Sequence, residues 1–272
     1  MSFSSKFNQR LQSLKTNLCV GLDPELEKLP EFLRKEEMPL FTFSREIIDS
    51  TAAYATAYKP NIAFFERYGS KGIREFERTV EHIRTNHSNI PIVADVKRGD
   101  LANTSKEYAG YYFGSLGVDS ITVSPYMGED SLLPYLELSE SHIFLLCLTS
   151  NKGSGDFQKL KLANGEAFYK NLAEFFERLE TSYPGKIGIV VGATHPNELS
   201  ALRETSPSLH FLIPGYGAQG GKLEEIMPIA GKLSLINSSR SILFASGGKD
   251  FAEIAGKKAE EIHKEMLMYW KD

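Results

Sequence analysis

The stretch Ile90-Pro-Ile-Val-Ala-Asp-Val-Lys-Arg-Gly-Asp100 runs from an apolar segment directly into a cluster of charges. Its first half is rich in branched apolar residues, which favour a strand. Side chains alternate across a strand, so Asp95 and Lys97 share one face with Val93. Charges at the end of a buried strand are costly unless they are paired or used. The stretch therefore predicts a strand whose end carries either a structural ion pair or catalytic groups.

Seven further apolar runs occur along the chain, and longer amphipathic segments separate them. The eight predicted strands are Leu18–Gly21, Ala57–Pro60, Ile90–Lys97, Ser120–Val123, Ile143–Thr149, Lys186–Gly192, His210–Ile213 and Ser234–Asn237. Between and after them, helices are predicted over Thr42–Tyr54, Gly72–Asn86, Leu101–Leu116, Ser131–Ser139, Glu166–Thr181, Pro196–Glu204, Lys222–Ala230 and Lys249–Trp270. Strands that alternate with helices imply a parallel sheet. Eight such units in 272 residues favour a (β/α)8 TIM barrel that forms a single domain over residues 1–272, with a doubly wound open sheet as the alternative.

Composition and charge narrow the function classes. The chain has 31 basic and 35 acidic residues and a net charge of −4, which argues against a general nucleic-acid binder. Its two cysteines, Cys19 and Cys147, lie in apolar runs and are expected to be buried reduced thiols. The sequence shows no secretory signal and no apolar run of the ~20 residues that a membrane span needs. We therefore expect a cytoplasmic protein with no membrane partner.

Charged residues end the first three predicted strands. Asp23 follows the first strand, Lys59 lies in the second, and Asp95 and Lys97 lie in the third. The carboxyl ends of barrel strands meet at one rim, where active sites are found. A carboxylate beside a lysine raises the pKa of the lysine and keeps it a cation. The sequence thus predicts a rim of alternating charge suited to proton donation and to stabilising negative charge.

Two loops and an arginine indicate an anion site at the same rim. The segment Pro214–Gly221, which reads PGYGAQGG, follows the seventh strand and lets the backbone approach a ligand closely. Arg240 follows the eighth strand and offers a forked donor to a phosphate. Barrels often build phosphate sites from these two loops. The long polar loop Ser150–Gly165 after the fifth strand is a candidate lid, with an ordinary surface turn as the alternative.

The histidines do not predict a metal centre. His82, His87, His142, His210 and His263 lack the spacing of metal ligands. His195 is expected to cap or line the loop after the sixth strand. The sequence contains no P-loop, no dinucleotide-binding glycine motif and no nucleophile elbow.

Four segments in order resemble the orotidine 5′-phosphate decarboxylase family, in its longer bacterial branch. The signature is the D-x-K-x-x-D pattern of Asp95–Asp100 with Thr104 downstream. The other matching segments are Lys59–Glu66, Pro214–Gly221 and Asn237–Arg240. The resemblance implies a TIM barrel that acts as a homodimer with shared active sites. It also implies conversion of orotidine 5′-monophosphate to uridine 5′-monophosphate and carbon dioxide, the last step of de novo pyrimidine synthesis, without a metal or another cofactor.

The resemblance assigns catalytic roles by position. Lys97 would donate the proton to C6 of the pyrimidine, and Asp95 would lie beside the departing carboxylate. Lys59 would bridge the carboxylates and reach a ribose hydroxyl. Asp100 and Thr104 would extend into the site of the partner subunit. Stabilisation of the C6 carbanion would then be electrostatic, because no cofactor supplies an electron sink.

The remaining assignments concern substrate binding. Asp23 would bind the ribose, and Ser150, with Thr149 as its competitor, would contact the pyrimidine edge. The phosphate would be held by Gly217, Gln219, Ser239 and Arg240.

Two other functions compete with this one. A related barrel enzyme that acts on sugar phosphates through magnesium shares the D-x-K-x-x-D pattern but carries a metal-binding Glu where Lys59 stands. A non-catalytic nucleotide-binding protein would have little use for the charges at Lys59, Asp95, Lys97 and Asp100.

Overall fold

The computed structural model describes residues 1–216 and 221–270, and its framework is an eight-stranded parallel sheet. The strands are β1 (Leu18–Leu22), β2 (Ala57–Pro60), β3 (Val93–Arg98), β4 (Ser120–Val123), β5 (His142–Leu148), β6 (Ile187–Val191), β7 (His210–Pro214) and β8 (Ser234–Ser238). Each predicted strand is present, with ends that differ by no more than three residues. The largest difference is at β3, where Pro91 has no N–H to donate and the regular strand begins at Val93 instead of Ile90.

Helices connect the strands in the predicted order. They are α1 (Phe3–Leu14), α2 (Pro39–Thr51), α3 (Ala63–Glu66), α4 (Gly69–Asn86), α5 (Ala102–Ala109), α6 (Leu133–Leu136), α7 (Ser154–Phe157), α8 (Phe168–Ser182), α9 (Pro196–Thr205), α10 (Leu223–Ala230), α11 (Arg240–Leu243) and α12 (Phe251–Met268). The segment predicted as one helix over Leu101–Leu116 passes from α5 into a π-helix at Gly110. None of the helices in the described ranges is long and apolar enough to cross a membrane.

The sheet closes on itself between β2 and β3. Neighbouring strands follow the order β2-β1-β8-β7-β6-β5-β4-β3. The two outer strands meet where the Tyr58 N–H donates to the Pro91 carbonyl at 3.0 Å and the Ile62 N–H donates to the Asp95 carbonyl at 3.3 Å. Bridges at Tyr58–Ile92 and Asn61–Asp95 keep the parallel direction. The fold is therefore a TIM barrel, and the open-sheet alternative is wrong.

One end of the barrel is closed by α1, a helix that is not among those predicted from the sequence. Phe3, Phe7 and Leu11 are buried and recur every four residues, so they lie on one face of the helix. They pack with interior side chains of the strands, among them Phe144 and Leu212. The helix begins after Ser2, whose hydroxyl accepts a hydrogen bond from the Ser5 N–H at 3.3 Å. Because α1 fills this end of the barrel with apolar side chains, the polar groups lie at the other end, where the strands have their carboxyl ends.

Candidate active site

An array of three charged side chains, two of them buried, lies at the carboxyl ends of β2 and β3. The Asp95 carboxylate accepts a hydrogen bond from Lys59 Nζ at 2.8 Å on Oδ2 and one from Lys97 Nζ at 2.5 Å on Oδ1. Asp95 and Lys97 therefore share one face of β3, as the alternation of the strand predicts. Lys59 reaches them from β2, since closure of the barrel makes the two strands neighbours.

The two lysines differ in their surroundings. The Lys59 side chain is 5% exposed and that of Asp95 is 11%, whereas the Lys97 side chain is 53% exposed. Burial alone would lower the pKa of Lys59, but the Asp95 and Asp23 carboxylates raise it above its ordinary range. Burial alone would raise the pKa of Asp95, but Lys59 and Lys97 lower it. Lys59 is thus a buried cation paired with the buried Asp95 anion. The Lys97 ammonium is exposed at the carboxyl end of the barrel.

A local irregularity in β3 positions Lys97. The register between β3 and β4 shifts between Ala94 and Arg98, and Lys97 adopts a φ of 44°, which is uncommon outside glycine. Thr122 on β4 holds this bulge because its hydroxyl accepts the N–H groups of Val96 at 3.0 Å and Lys97 at 2.9 Å. The same hydroxyl donates to Asp95 Oδ1 at 3.0 Å. Thr122 could not be singled out from the sequence, because a threonine in a strand has no distinguishing pattern.

Asp23 lies just beyond the end of β1. It is half-buried, and its carboxylate contributes to the raised pKa of Lys59, so it faces the same array. Its Oδ1 is buried and accepts no hydrogen bond from the described residues. An unpartnered carboxylate oxygen at a rim of this kind is an acceptor available to a ligand hydroxyl.

Ser239 and Asn237 lie beside β1 at the end of β8. The Asn237 amide donates to Ser239 Oγ at 3.1 Å. A Cβ at position 21 would lie 2.0 Å from Ser239 Oγ, so only glycine allows this approach of the two strands. Ser239 is therefore held at the rim by the neighbouring strand.

The competing residues Thr149 and Ser150 follow β5. The Thr149 hydroxyl donates to Asn151 Oδ1 at 2.6 Å and accepts from Gln158 Nε2 at 2.9 Å, so the loop itself engages this side chain. Ser150 packs against the residue that follows β6, since a Cβ at Gly192 would lie 2.6 Å from the Ser150 Cα.

The loop after β6 carries His195. Its Nε2 is 3.2 Å from the Thr149 carbonyl oxygen, and its Nδ1 is 3.5 Å from Lys159 Nζ. The side chain makes no capping hydrogen bond to α9. Of the two expected roles, His195 therefore lines the loop instead of capping the helix.

The expected phosphate residues are described only in part. Arg240 is exposed at the start of α11, and its guanidinium has no hydrogen-bond or ion-pair partner among residues 1–216 and 221–270. Gly217 and Gln219 lie outside the described residues. Gly215, just before them, adopts a φ of 102°, a conformation that favours glycine.

Asp100 and Thr104 are not joined to the array within this chain. Asp100 is half-buried in the loop after β3, and its Oδ1 accepts the Leu101 N–H at 2.7 Å. Thr104 is half-buried in α5. Over the described ranges, no hydrogen bond or ion pair links either side chain to Lys59, Asp95 or Lys97.

Comparisons with known proteins agree with this architecture. A model of the orotidine 5′-phosphate decarboxylase / HUMPS family matches residues 16–253. The chain is 56% identical over 271 residues to an orotidine 5′-phosphate decarboxylase of Leptospira interrogans, covering 99% of this chain and 98% of that protein. It is 45% identical over 258 residues to one of Herpetosiphon aurantiacus, covering 95% of each. The OMP decarboxylase structure of Leishmania donovani superposes with a TM-score of 0.84 at 35% identity, covering 99% of this chain and 98% of that one.

These matches extend over nearly the whole chain and include the strands that carry Lys59, Asp95 and Lys97. This chain therefore belongs to the orotidine 5′-phosphate decarboxylase family.

Proposed function

We propose that Lys97 protonates C6 of the pyrimidine in the conversion of orotidine 5′-monophosphate to uridine 5′-monophosphate and carbon dioxide. That conversion is the reaction of this family, and it is the decarboxylation step of pyrimidine biosynthesis. The observation that carries the proposal is the Lys59–Asp95–Lys97 array, in which an exposed ammonium is fixed 2.5 Å from a buried carboxylate.

The chemistry of the reaction requires such an array. When the bond between C6 and the carboxylate breaks, the electron pair stays on C6, where no adjacent carbonyl can accept it. A preorganised cation stabilises charge that develops in a site shielded from water. The Lys97 ammonium then donates a proton to C6, and the C6–H bond replaces the broken C–C bond. Lys59 holds Asp95 in place while the charge on Lys97 changes.

Asp95 has a second role in this proposal. Its carboxylate is ionised beside both lysines, and it lies beside the departing carboxylate of the substrate. Lys59 bridges the carboxylates and reaches a ribose hydroxyl. Asp23, whose buried Oδ1 has no described partner, accepts a second ribose hydroxyl.

Binding of the base and the phosphate is assigned to the loops. We assign the pyrimidine edge to Ser150, as the resemblance to the family implies, with Thr149 as its competitor; the Thr149 hydroxyl is engaged by Asn151 and Gln158. The phosphate is assigned to Arg240 and Ser239, together with Gly217 and Gln219. Binding energy from a phosphate remote from C6 can drive closure around the reacting carbon.

The position of Lys59 disfavours the magnesium-dependent reaction on sugar phosphates. That reaction needs a carboxylate at this point of β2 to bind the metal, and a lysine ammonium stands there, 2.8 Å from Asp95. The neighbouring carboxylates outweigh the effect of burial and keep this group a cation, which would repel a divalent ion.

We further propose that residues 1–272 form one domain that works in the cytoplasm as a homodimer with shared active sites. Support for the dimer comes from exposed apolar side chains on the loops after β3 and β4. Leu101 is 55% exposed and Tyr126 is 88% exposed, beside the half-buried Asp100. Covering these side chains with a second subunit would bury apolar surface and bring Asp100 and Thr104 to the partner's site. Support for a reducing compartment comes from Cys19 and Cys147, which are both buried and free.

Subunit complementation tests the shared site. Lys97→Ala and Asp100→Ala are each expected to inactivate the homodimer. When the two variants are unfolded and refolded together, about half of the dimers are mixed and each mixed dimer has one intact site. Roughly a quarter of the parental activity should therefore return. No recovery, with mixed dimers confirmed by mass, would show that each chain supplies its own complete site.

A further inference from the structure

Three side chains of metal-binding type meet on the outside of the barrel, away from the active site. Asp49 belongs to α2, His82 belongs to α4, and His87 directly follows α4. Asp49 Oδ1 is 2.7 Å from His82 Nε2 and 2.8 Å from His87 Nε2. The possible ligand atoms of the three residues all lie within 4.8 Å of one another.

The spacing of the two histidines hides this arrangement in the sequence. Five residues along an α-helix rotate a side chain by about 140° relative to the first, so His82 and His87 would not share a helical face. The structure brings them together because α4 ends at Asn86 and His87 has a φ of −135° and a ψ of 44°. That backbone turns the ring back towards Asp49, and the ring centroids of the two histidines are 5.8 Å apart.

We propose that Asp49, His82 and His87 form a zinc site that links α2 to α4. Two imidazole nitrogens and one carboxylate oxygen are a donor set that zinc accepts, with water completing the tetrahedron. The proposal is independent of the decarboxylase mechanism, because α4 ends just before β3 and the cluster therefore lies at the opposite end of the barrel from Lys97.

The two contacts that Asp49 makes would need only a small adjustment to hold the ion. With zinc–ligand bonds of about 2.0–2.1 Å, tetrahedral ligand atoms lie about 3.3–3.4 Å apart. The present separations of 2.7 and 2.8 Å are those of hydrogen bonds. Rotations that open each of these two contacts by roughly half an ångström would make room for the ion between Asp49 Oδ1 and the imidazole nitrogens.

The exposure of the cluster also suits a cation. The Asp49 side chain is 47% exposed, and those of His82 and His87 are 14% and 20% exposed. The site is thus open to solvent at Asp49 and shielded at the two imidazoles, which suits entry of an ion and retention of its ligands.

Metal titration of the full-length chain tests the proposal. Protein stripped with a chelator would be titrated with Zn2+ by calorimetry, and with Co2+ by its visible absorption in a tetrahedral site. We expect one ion per chain and a higher melting temperature with Zn2+. His82→Gln and His87→Gln should each weaken binding at least about tenfold. His263→Gln, on α12, is the matched control and should bind as the parent does.

The metal-free melting temperature of each variant separates loss of a ligand from loss of folding. Both histidines are partly exposed, and glutamine retains an N–H donor, so the apo variants should fold with nearly parental stability. Absence of stoichiometric zinc binding by the parent would overturn the proposal. So would a folded His82→Gln/His87→Gln double variant that binds zinc as tightly as the parent, and in either case the cluster is only a hydrogen-bonded contact between two helices.

Discussion

Replacing Thr122 by valine removes the hydroxyl that organises the Lys97 bulge while keeping the shape of the side chain. Thr122 is 1% exposed, so water cannot take the place of the lost group. The Val96 and Lys97 N–H groups would lose their acceptor, and Asp95 Oδ1 would lose a donor. Each unsatisfied buried donor costs about 1–3 kcal/mol, so with two donors we expect the free energy of unfolding to fall by roughly 2–6 kcal/mol.

The same change should slow decarboxylation by displacing Lys97 and not by altering its chemical group. Lys97 keeps its ammonium, but the left-handed backbone at φ 44° loses both of the hydrogen bonds that Thr122 accepts. A displacement of about 1 Å at a catalytic group costs on the order of 100-fold. We therefore expect kcat to fall about 100-fold, whereas the Kd of uridine 5′-monophosphate changes by no more than a few-fold.

Chemical denaturation and steady-state decarboxylation, measured on the same preparation, provide the assay. Thr122→Ser is the matched control, since it keeps the hydroxyl and loses only a methyl group worth about 1 kcal/mol. It should retain kcat within a few-fold. A Thr122→Val protein with parental stability and parental kcat would refute the positioning role of this hydroxyl.

Arg240, the absence of a metal requirement and His210 each offer a separate test. Arg240→Ala should weaken the binding of uridine 5′-monophosphate about 100-fold, since a charge-assisted bidentate contact is worth roughly 3 kcal/mol, and should leave the affinity for uridine unchanged. Equal losses of affinity for the two ligands in calorimetry would exclude a contact between Arg240 and the phosphate. Exhaustive chelation should leave the decarboxylation rate unchanged, and a loss restored by Mg2+ would instead favour the sugar-phosphate enzymes. Burial lowers the pKa of His210 from 6.5 to about 4. Between these two pH values the unfolded chain therefore binds more protons than the folded chain. The free energy of unfolding should fall by roughly 3 kcal/mol as the pH drops through this range. In denaturation measured between pH 7 and 4, His210→Leu should reduce the number of protons taken up on unfolding by about one. An unchanged slope of the free energy of unfolding against pH would show that His210 is not the group responsible.

The strand pattern and the Asp95–Lys97 pair could be predicted because both depend on local periodicity. Side chains two apart share a face of a strand, and charged residues in such a strand stand out against apolar neighbours. The position of Lys59 followed from the parallel order, which brings the carboxyl ends of β2 and β3 to one rim.

Other features depend on tertiary contacts that no local pattern reports. Thr122 looks like any β-branched strand residue until the bulge in β3 brings two N–H groups to its hydroxyl. His82 and His87 meet only because the chain leaves the helix after Asn86. By contrast, Phe3, Phe7 and Leu11 recur at helical spacing, so α1 could have been predicted. The polar residues between them made this pattern easy to overlook.

Lys97→Ala tests the central claim most directly, because it removes the proposed proton donor and keeps Arg240, the proposed phosphate ligand. Turnover of orotidine 5′-monophosphate, followed by ultraviolet absorbance, and affinity for uridine 5′-monophosphate should be measured on one preparation. General acid catalysis and electrostatic stabilisation contribute ~10²–10⁴ and ~10²–10³, so we expect turnover to fall by more than about 1,000-fold with nucleotide binding retained. Turnover within about tenfold of the parent in a folded, nucleotide-binding variant would show that Lys97 is not the proton donor.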